Sequence, residues 1–319
     1  MSTTVIKGPA QIEWAGLKFI TKDDINVTIN PEGFDVATDA HGLLEERMKS
    51  RSVTVAFTPS GQWLGEALTL LSAASGRVPG TSVLSGALVI KPFIAPQMVT
   101  TVARAGPTTL PDLNLSASKT LFGGLTFTGI AAVDSATGAI ITQTVHAAPV
   151  STFDAPLILT EPWTGNYGVP DGEGDFNPDA DVTLLGIETE DGWTIKSEIT
   201  TDMCRADSVG IVDILQTSFK VTASCRPVGV AEDAMAEFLQ RGGASDIALR
   251  PGMSFAYDGA GLYLTSRSGY KVALTKCGIR SGSMMWGSTK NRTDGLTFSC
   301  IRKFASGAMQ PLLTFTVPG

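Results

Sequence analysis

Histidine is nearly absent from this chain, with only His41 and His146 among 319 residues. That leaves little of the side chain that most often moves protons or binds metals near neutral pH. Neither has an obvious catalytic partner: His41 sits in a turn-like Asp39-Ala-His41-Gly stretch, and His146 ends a strand pattern. Positive charge is also short, 24 Lys and Arg against 31 Asp and Glu, for a net charge of -7. A basic footprint for wrapping nucleic acid is therefore missing. No apolar run is long enough to span a bilayer as a helix, since the best, Val83 to Val99, is broken by Lys91, Pro92 and Pro96. The opening residues lack the basic and apolar regions of a secretory signal, so synthesis in a cytoplasm without export or membrane insertion is expected. On that expectation Asn26-Val-Thr, Asn114-Leu-Ser and Asn291-Arg-Thr are not glycosylation sites.

Metal and cofactor motifs are lacking as well. The four cysteines, Cys204, Cys225, Cys277 and Cys300, contain no C-x-x-C pair and read as buried free thiols. There is no G-x-S-x-G elbow, no Walker loop, and Gly172-Glu-Gly174 lacks the third glycine of a dinucleotide fingerprint. Asp175, Asn177 and Asp179 have calcium-like spacing, but an EF-hand loop would need Gly and Glu where Ala180 and Gly186 stand. The expectation is a protein that is no enzyme, with no cofactor and no metal. Hydrophobic residues at 43% exclude a disordered chain, and 34 Gly with 17 Pro exclude collagen.

What is present is repetition. Ser52-Val-Thr-Val55-Ala-Phe matches Ser218-Phe-Lys-Val221-Thr-Ala at an offset of 166, and Pro59-Ser-Gly61 matches Pro227-Val-Gly229 at 168. Gly124-Leu-Thr-Phe127 recurs as Gly295-Leu-Thr-Phe298 at 171, and Ser135-Ala-Thr-Gly138 resembles Phe304-Ala-Ser-Gly307 at 169. Both of the last pair run into Thr-Val, at Thr144-Val145 and Thr316-Val317. Four matches in one order predict a tandem duplication. Convergent β patterning is the alternative.

Each copy reads mainly as strands. Alternation marks Ile25–Ile29, Val53–Phe57 and Leu113–Ala117 in the first copy, and Trp193–Lys196, Phe219–Ala223 and Leu262–Thr265 in the second. Asp191-Gly192, Asp258-Gly259 and Asp294-Gly295 read as turns. One helix is predicted per copy, on the stripes Trp63, Leu64, Ala67, Leu68, Leu71 and Ala231, Ala234, Met235, Phe238, Leu239. Each should bury one face on its own sheet. Between the copies, Glu161–Asp181 carries six acids and no Lys or Arg, which reads as a connector. The expected fold is mainly β: two tandem antiparallel β-sandwich or barrel domains, each flanked by one α-helix. The first spans 1–150, a Pro/Gly/acidic linker spans 151–181, and the second domain spans 182–319.

Long polar connections precede the central strand of each copy. Leu43, Leu44 and Met48 in one, and Val209, Ile211 and Val212 in the other, place apolar side chains where a partner would cover them. A hairpin arm packing on its own domain is the competing reading.

These residues resemble the tail tube (major tail) proteins of long-tailed bacteriophages. The likeness runs through Gly8-Pro-Ala-Gln-Ile-Glu-Trp-Ala-Gly-Leu, Thr21-Lys-Asp-Asp24-Ile-Asn-Val, Glu45-Glu46-Arg47 and Val55-Ala-Phe-Thr-Pro-Ser-Gly61-Gln-Trp. It covers most of the first copy, and reaches the second through the repeat. The resemblance implies a virion structural protein, made in the bacterial host, whose rings stack into the tail tube. Its partners would be itself, as homotrimeric pseudo-hexameric rings, together with tail terminator, tape measure and tail tip proteins. Phage DNA would pass through the lumen without specific binding. A distal or baseplate tube component is an alternative, as is a tandem β-sandwich module for carbohydrate binding or adhesion.

Overall fold

Where the sequence alternates, apolar side chains turn inward: Ile25 and Val27 are buried beside exposed Asn26, and Leu113 and Leu115 flank exposed Asn114. This period of two is what a half-buried strand requires. The computed structural model describes residues 3–6, 10–38, 42–60, 64–93, 97–117, 121–131, 139–146, 161–168, 176–179, 181, 183–206, 210–228, 260–286, 291–301, 304–305 and 308–317.

The first half contributes β1 (Thr3–Ile6), β2 (Ala10–Trp14), β3 (Leu17–Ile20), β4 (Ile25–Thr38), β5 (Gly42–Phe57), helix α1 (Leu64–Ser75) and β6 (Thr81–Ser82). It continues with β7 (Gly86–Pro92), β8 (Gln97–Thr109), β9 (Leu113–Leu115), β10 (Leu121–Phe122), β11 (Leu125–Ile130) and β12 (Ile141–His146). From the second half come β13 (Trp163–Gly168), β14 (Thr183–Ala206), β15 (Gly210–Val228), β16 (Gly261–Ser266) and β17 (Lys271–Thr275). After these come β18 (Cys277–Trp286), β19 (Asn291–Cys300), β20 (Phe304–Ala305), β21 (Ala308–Met309) and β22 (Leu313–Thr316).

The protein is mainly β, built on two large antiparallel sheets. One runs β1-β4-β5-β11-β8-β7-β2-β3, with β12 also on β8. The other runs β18-β19-β15-β14-β13-β16-β17-β22, with β6 added to β15 and the β9–β10 pair added to β14. Three short strands of the first half thus lie in the sheet of the second. Leu113–Leu115 pair with Ile195–Trp193, and Thr81–Ser82 pair with Gln216–Leu215. One continuous core, from Ala10 to Leu313, joins both halves.

Helix α1 forms where the stripe predicts, burying Leu64, Ala67, Leu68, Leu71 and Ala74. It does not keep to its own sheet, as the stripe alone suggests: it lies against β3 of the first sheet and against β22 and β15 of the second. The Ser75 hydroxyl accepts from the Leu313 amide at 3.3 Å, and Gln216 Nε2 donates to the Ala74 carbonyl at 3.0 Å. Trp63 and the second predicted helix, Ala231–Leu239, lie outside the described residues, as do His41 and Asp258-Gly259.

Two further sequence expectations are corrected. Asp191-Gly192 and Asp294-Gly295 are not hairpin turns: Gly192 and Gly295 hold φ of 90° and 86° inside β14 and β19. Pairing around Gly192 jumps from Thr189↔Pro227 to Trp193↔Cys225, so the glycine serves a bulge. A Cβ there would lie 2.1 Å from the Leu115 carbonyl oxygen, so the bulge also admits β9. Secondly, the acidic connector contains a strand. β13 lies between β14 and β16, with Trp163, Gly165 and Tyr167 turned inward. Gly165 faces Trp193 so closely that a Cβ would stand 2.2 Å from its ring, and Gly168 does the same for Phe176. Small and large residues interlock, and the alternation outweighs the acidic composition around it.

The acids of this stretch that are described have protein partners. Glu161 accepts from the Ser268 hydroxyl at 2.7 Å, Asp179 pairs with Lys271 at 2.6 Å, and Asp181 accepts from the Asn177 amide at 2.7 Å. Asp175 lies outside the described residues.

Candidate assembly surface

The two long polar connections are β-hairpin arms, β4–β5 and β14–β15, and they match residue for residue. In the first, Gly33 pairs with Met48, Asp35 with Glu46, Val36 with Glu45 and Ala37 with Leu43. In the second, Thr201 pairs with Gln216, Met203 with Ile214, Cys204 with Asp213 and Arg205 with Ile211. Every partner is displaced by 168 positions, and both arms change register at the same places, before Gly33 and Thr201 and again before Ala37 and Arg205. The arms are copies down to their bulges.

That register revises one sequence match. Val55 pairs with Val27 and Phe127, and the residue with the equivalent partners, Ile195 and Phe298, is Ala223 rather than Val221. The 166-residue offset of the Ser-x-x-Val match is therefore slipped by two. A slip of two keeps every side chain on its own face, which is why identity alone did not expose it.

The arms differ in what covers them. The second lies on the first half of its own chain. Ile211 and Ile214 join Val83 and Ile130 in a small buried cluster, with Ile211 only 8% exposed. Asp213 accepts from the Ser82 hydroxyl at 2.6 Å, and Arg104 donates to the Val212 carbonyl at 3.4 Å. Gly210, at a φ of 82°, passes so near Lys49 and Ser50 that a Cβ would come within 2.9 Å of both. Arg205 grips Glu32 through both terminal guanidinium nitrogens, one at 2.8 Å, while the Ser50 hydroxyl donates to the same carboxylate at 2.6 Å. These donors hold the Glu32 carboxyl down at about 2, chiefly through the Arg205 and Ser50 hydrogen bonds.

The first arm has no such cover among the described residues. Leu43 is 62% exposed, Met48 64%, and Phe34 is nearly half exposed. Of the side chains singled out from sequence, Leu43 and Met48 are on this open arm, while Ile211 and half-buried Val212 belong to the seated one. The cover over Ile211 is the chain's own first half. The Leu44 side chain and Val209 lie outside the described residues. Pairing register between the arms, and the Glu32–Arg205 clasp, were not readable from sequence; the only trace was the Pro-x-Gly match at an offset of 168.

Among the described residues, no three His, Cys, Asp or Glu side chains gather as a metal cluster. No described helix is long and apolar enough to cross a membrane. The chain matches no known protein-family model, and no curated protein matches it at a significant level.

Proposed function

We propose that this protein is a self-assembling structural subunit, the tail tube protein of a long-tailed bacteriophage, with two tube-like domains in one chain. Three chains would close each pseudo-sixfold ring, and stacked rings would form the channel for DNA. One observation carries the reading: two hairpin arms share one pairing register, yet one is seated on the chain itself and the other is open. A protein that repeats one contact around a ring needs such a pair, because a heterologous contact consumes one surface and leaves its counterpart for the next subunit. The sequence resemblance supplies the kind of ring. Phe34 is the one aromatic among the large exposed apolar side chains described, which gives a carbohydrate-binding platform little support.

Negative-stain microscopy of the purified chain tests the proposal. Hollow rings or tubes are expected. Compact single chains at every concentration would refute it.

A further inference from the structure

The seat beneath the second arm also has a twin. Strands β11 and β19 correspond: Phe127 pairs with Val55 and Phe298 with Ala223, while Leu125 pairs with Phe57 and Leu296 with Cys225. Three residues beyond each phenylalanine stand Ile130 and Ile301. Ile130 is paired with Arg104, and the Ile301 amide donates to the Lys276 carbonyl at 3.2 Å. Lys276 therefore occupies the place of Arg104, and both are basic. Ile130 is 1% exposed beneath Ile211 and Ile214, whereas Ile301 is 40% exposed.

Among the described residues, then, one junction is filled, and an exposed apolar side chain stands at the position matching each of its two sides. One is Leu43 on the arm, matching Ile211; the other is Ile301 on the face, matching Ile130. We infer that the open arm of one copy seats on the Ile301 face of the next copy, with Leu43 taking the place of Ile211. The occupant is a second copy of this chain because the chain already makes this contact with itself. The matching positions also keep their charge signs, Asp213 with Glu45 and Arg104 with Lys276, and Glu45 is paired with Arg47 at 2.9 Å within its own arm. Docking would take the exposed Leu43 side chain out of water, which favours the contact.

The contact runs head to tail, arm to face, so it propagates until rotation closes it. The inference rests on the self-assembly proposed above, and adds the direction of assembly and the residues that meet.

Two single substitutions separate these ideas. Leu43→Asp removes the arm but leaves the face; Ile301→Asp removes the face but leaves the arm. Both positions are exposed, so both variants should fold, which matching circular dichroism spectra establish. Native mass spectrometry of each variant alone should show single chains where the unaltered protein forms rings. An equimolar mixture retains one good junction per pair, so it should give a dimer of one copy of each variant and nothing larger. Rings from either variant alone, or a mixture that stays monomeric, would overturn the assigned contact while leaving ring assembly of the unaltered chain intact. If the unaltered chain forms no assembly at all, the self-assembly proposal fails and this inference fails with it.

Discussion

Arg205, near the tip of the second arm, is bound to Glu32, at the base of the first, through both terminal guanidinium nitrogens. Folding lowers the Glu32 carboxyl from 4.5 to about 2. A lowered carboxyl stabilises the folded state fully above its ordinary value, and that contribution is lost as pH falls through the folded value. The clasp should therefore hold at neutral pH and loosen between about 4.5 and 2. Hydrogen exchange, corrected for intrinsic rates, should show protection of Gly210–Ile214 declining across that window. Glu32→Gln should show reduced protection already at neutral pH. Unchanged protection in that variant would mean the apolar cluster alone seats the arm.

Gly106 supports the same seat from below. A Cβ at this position would lie 2.2 Å from the Val83 carbonyl oxygen, and backbone cannot step aside cheaply. Gly106→Ala should displace Val83 and so loosen Ile211 and Ile214. Faster exchange confined to β6 and the second arm is the expected outcome. Uniform loss of protection would place the damage in the shared core instead.

Gly165→Ala should act globally. The new methyl would press into the Trp193 ring, fully buried at the centre of the second sheet. Overpacking of this kind costs about 1–3 kcal/mol, so the urea midpoint should fall without a change in slope.

Thiol labelling should separate the cysteines. Cys204 is half-buried, while burial pushes Cys225 up to about 12 and raises Cys277 well above its ordinary value beside Cys300, 2.7 Å away. Reactivity follows the thiolate and its exposure. Mass spectrometry after brief alkylation of native protein should find label on Cys204 first, with Cys225, Cys277 and Cys300 modified only on unfolding. Rapid native labelling of Cys277 would contradict the packing described.

If the proposed tube carries DNA, the DNA should slide and not stick, because each basic contact to phosphate adds affinity. Duplex DNA mixed with assembled protein at moderate salt should show no mobility shift. Tight, salt-sensitive binding would argue for a different task.

Much of the fold was legible because alternation is a direct physical signal. Ile25, Val27, Val53, Val55 and Phe57 turn inward as their spacing predicts, and α1 follows its stripe. Composition misled where it outvoted spacing: acids and glycines around Trp163-Thr-Gly165-Asn-Tyr167 suggested a connector, yet that stretch alternates and pairs on both sides. Local preference makes each Asp-Gly step a turn, although a positive-φ glycine serves a bulge as readily. The joining of the halves had no sequence signal, since strands as short as Thr81–Ser82 and Leu113–Leu115 carry no periodicity. The candidate surface was half visible. Leu43 and Ile211 both stand out as apolar residues in polar segments, but only their pairing partners reveal that one is the open twin of the other.

Mass and image symmetry of isolated rings test the proposal most directly. The two tube-like domains proposed for each chain predict rings of three chains, with alternating domains giving sixfold symmetry that lowers to threefold at fine detail. Six chains per ring, with twelve domains, would contradict it.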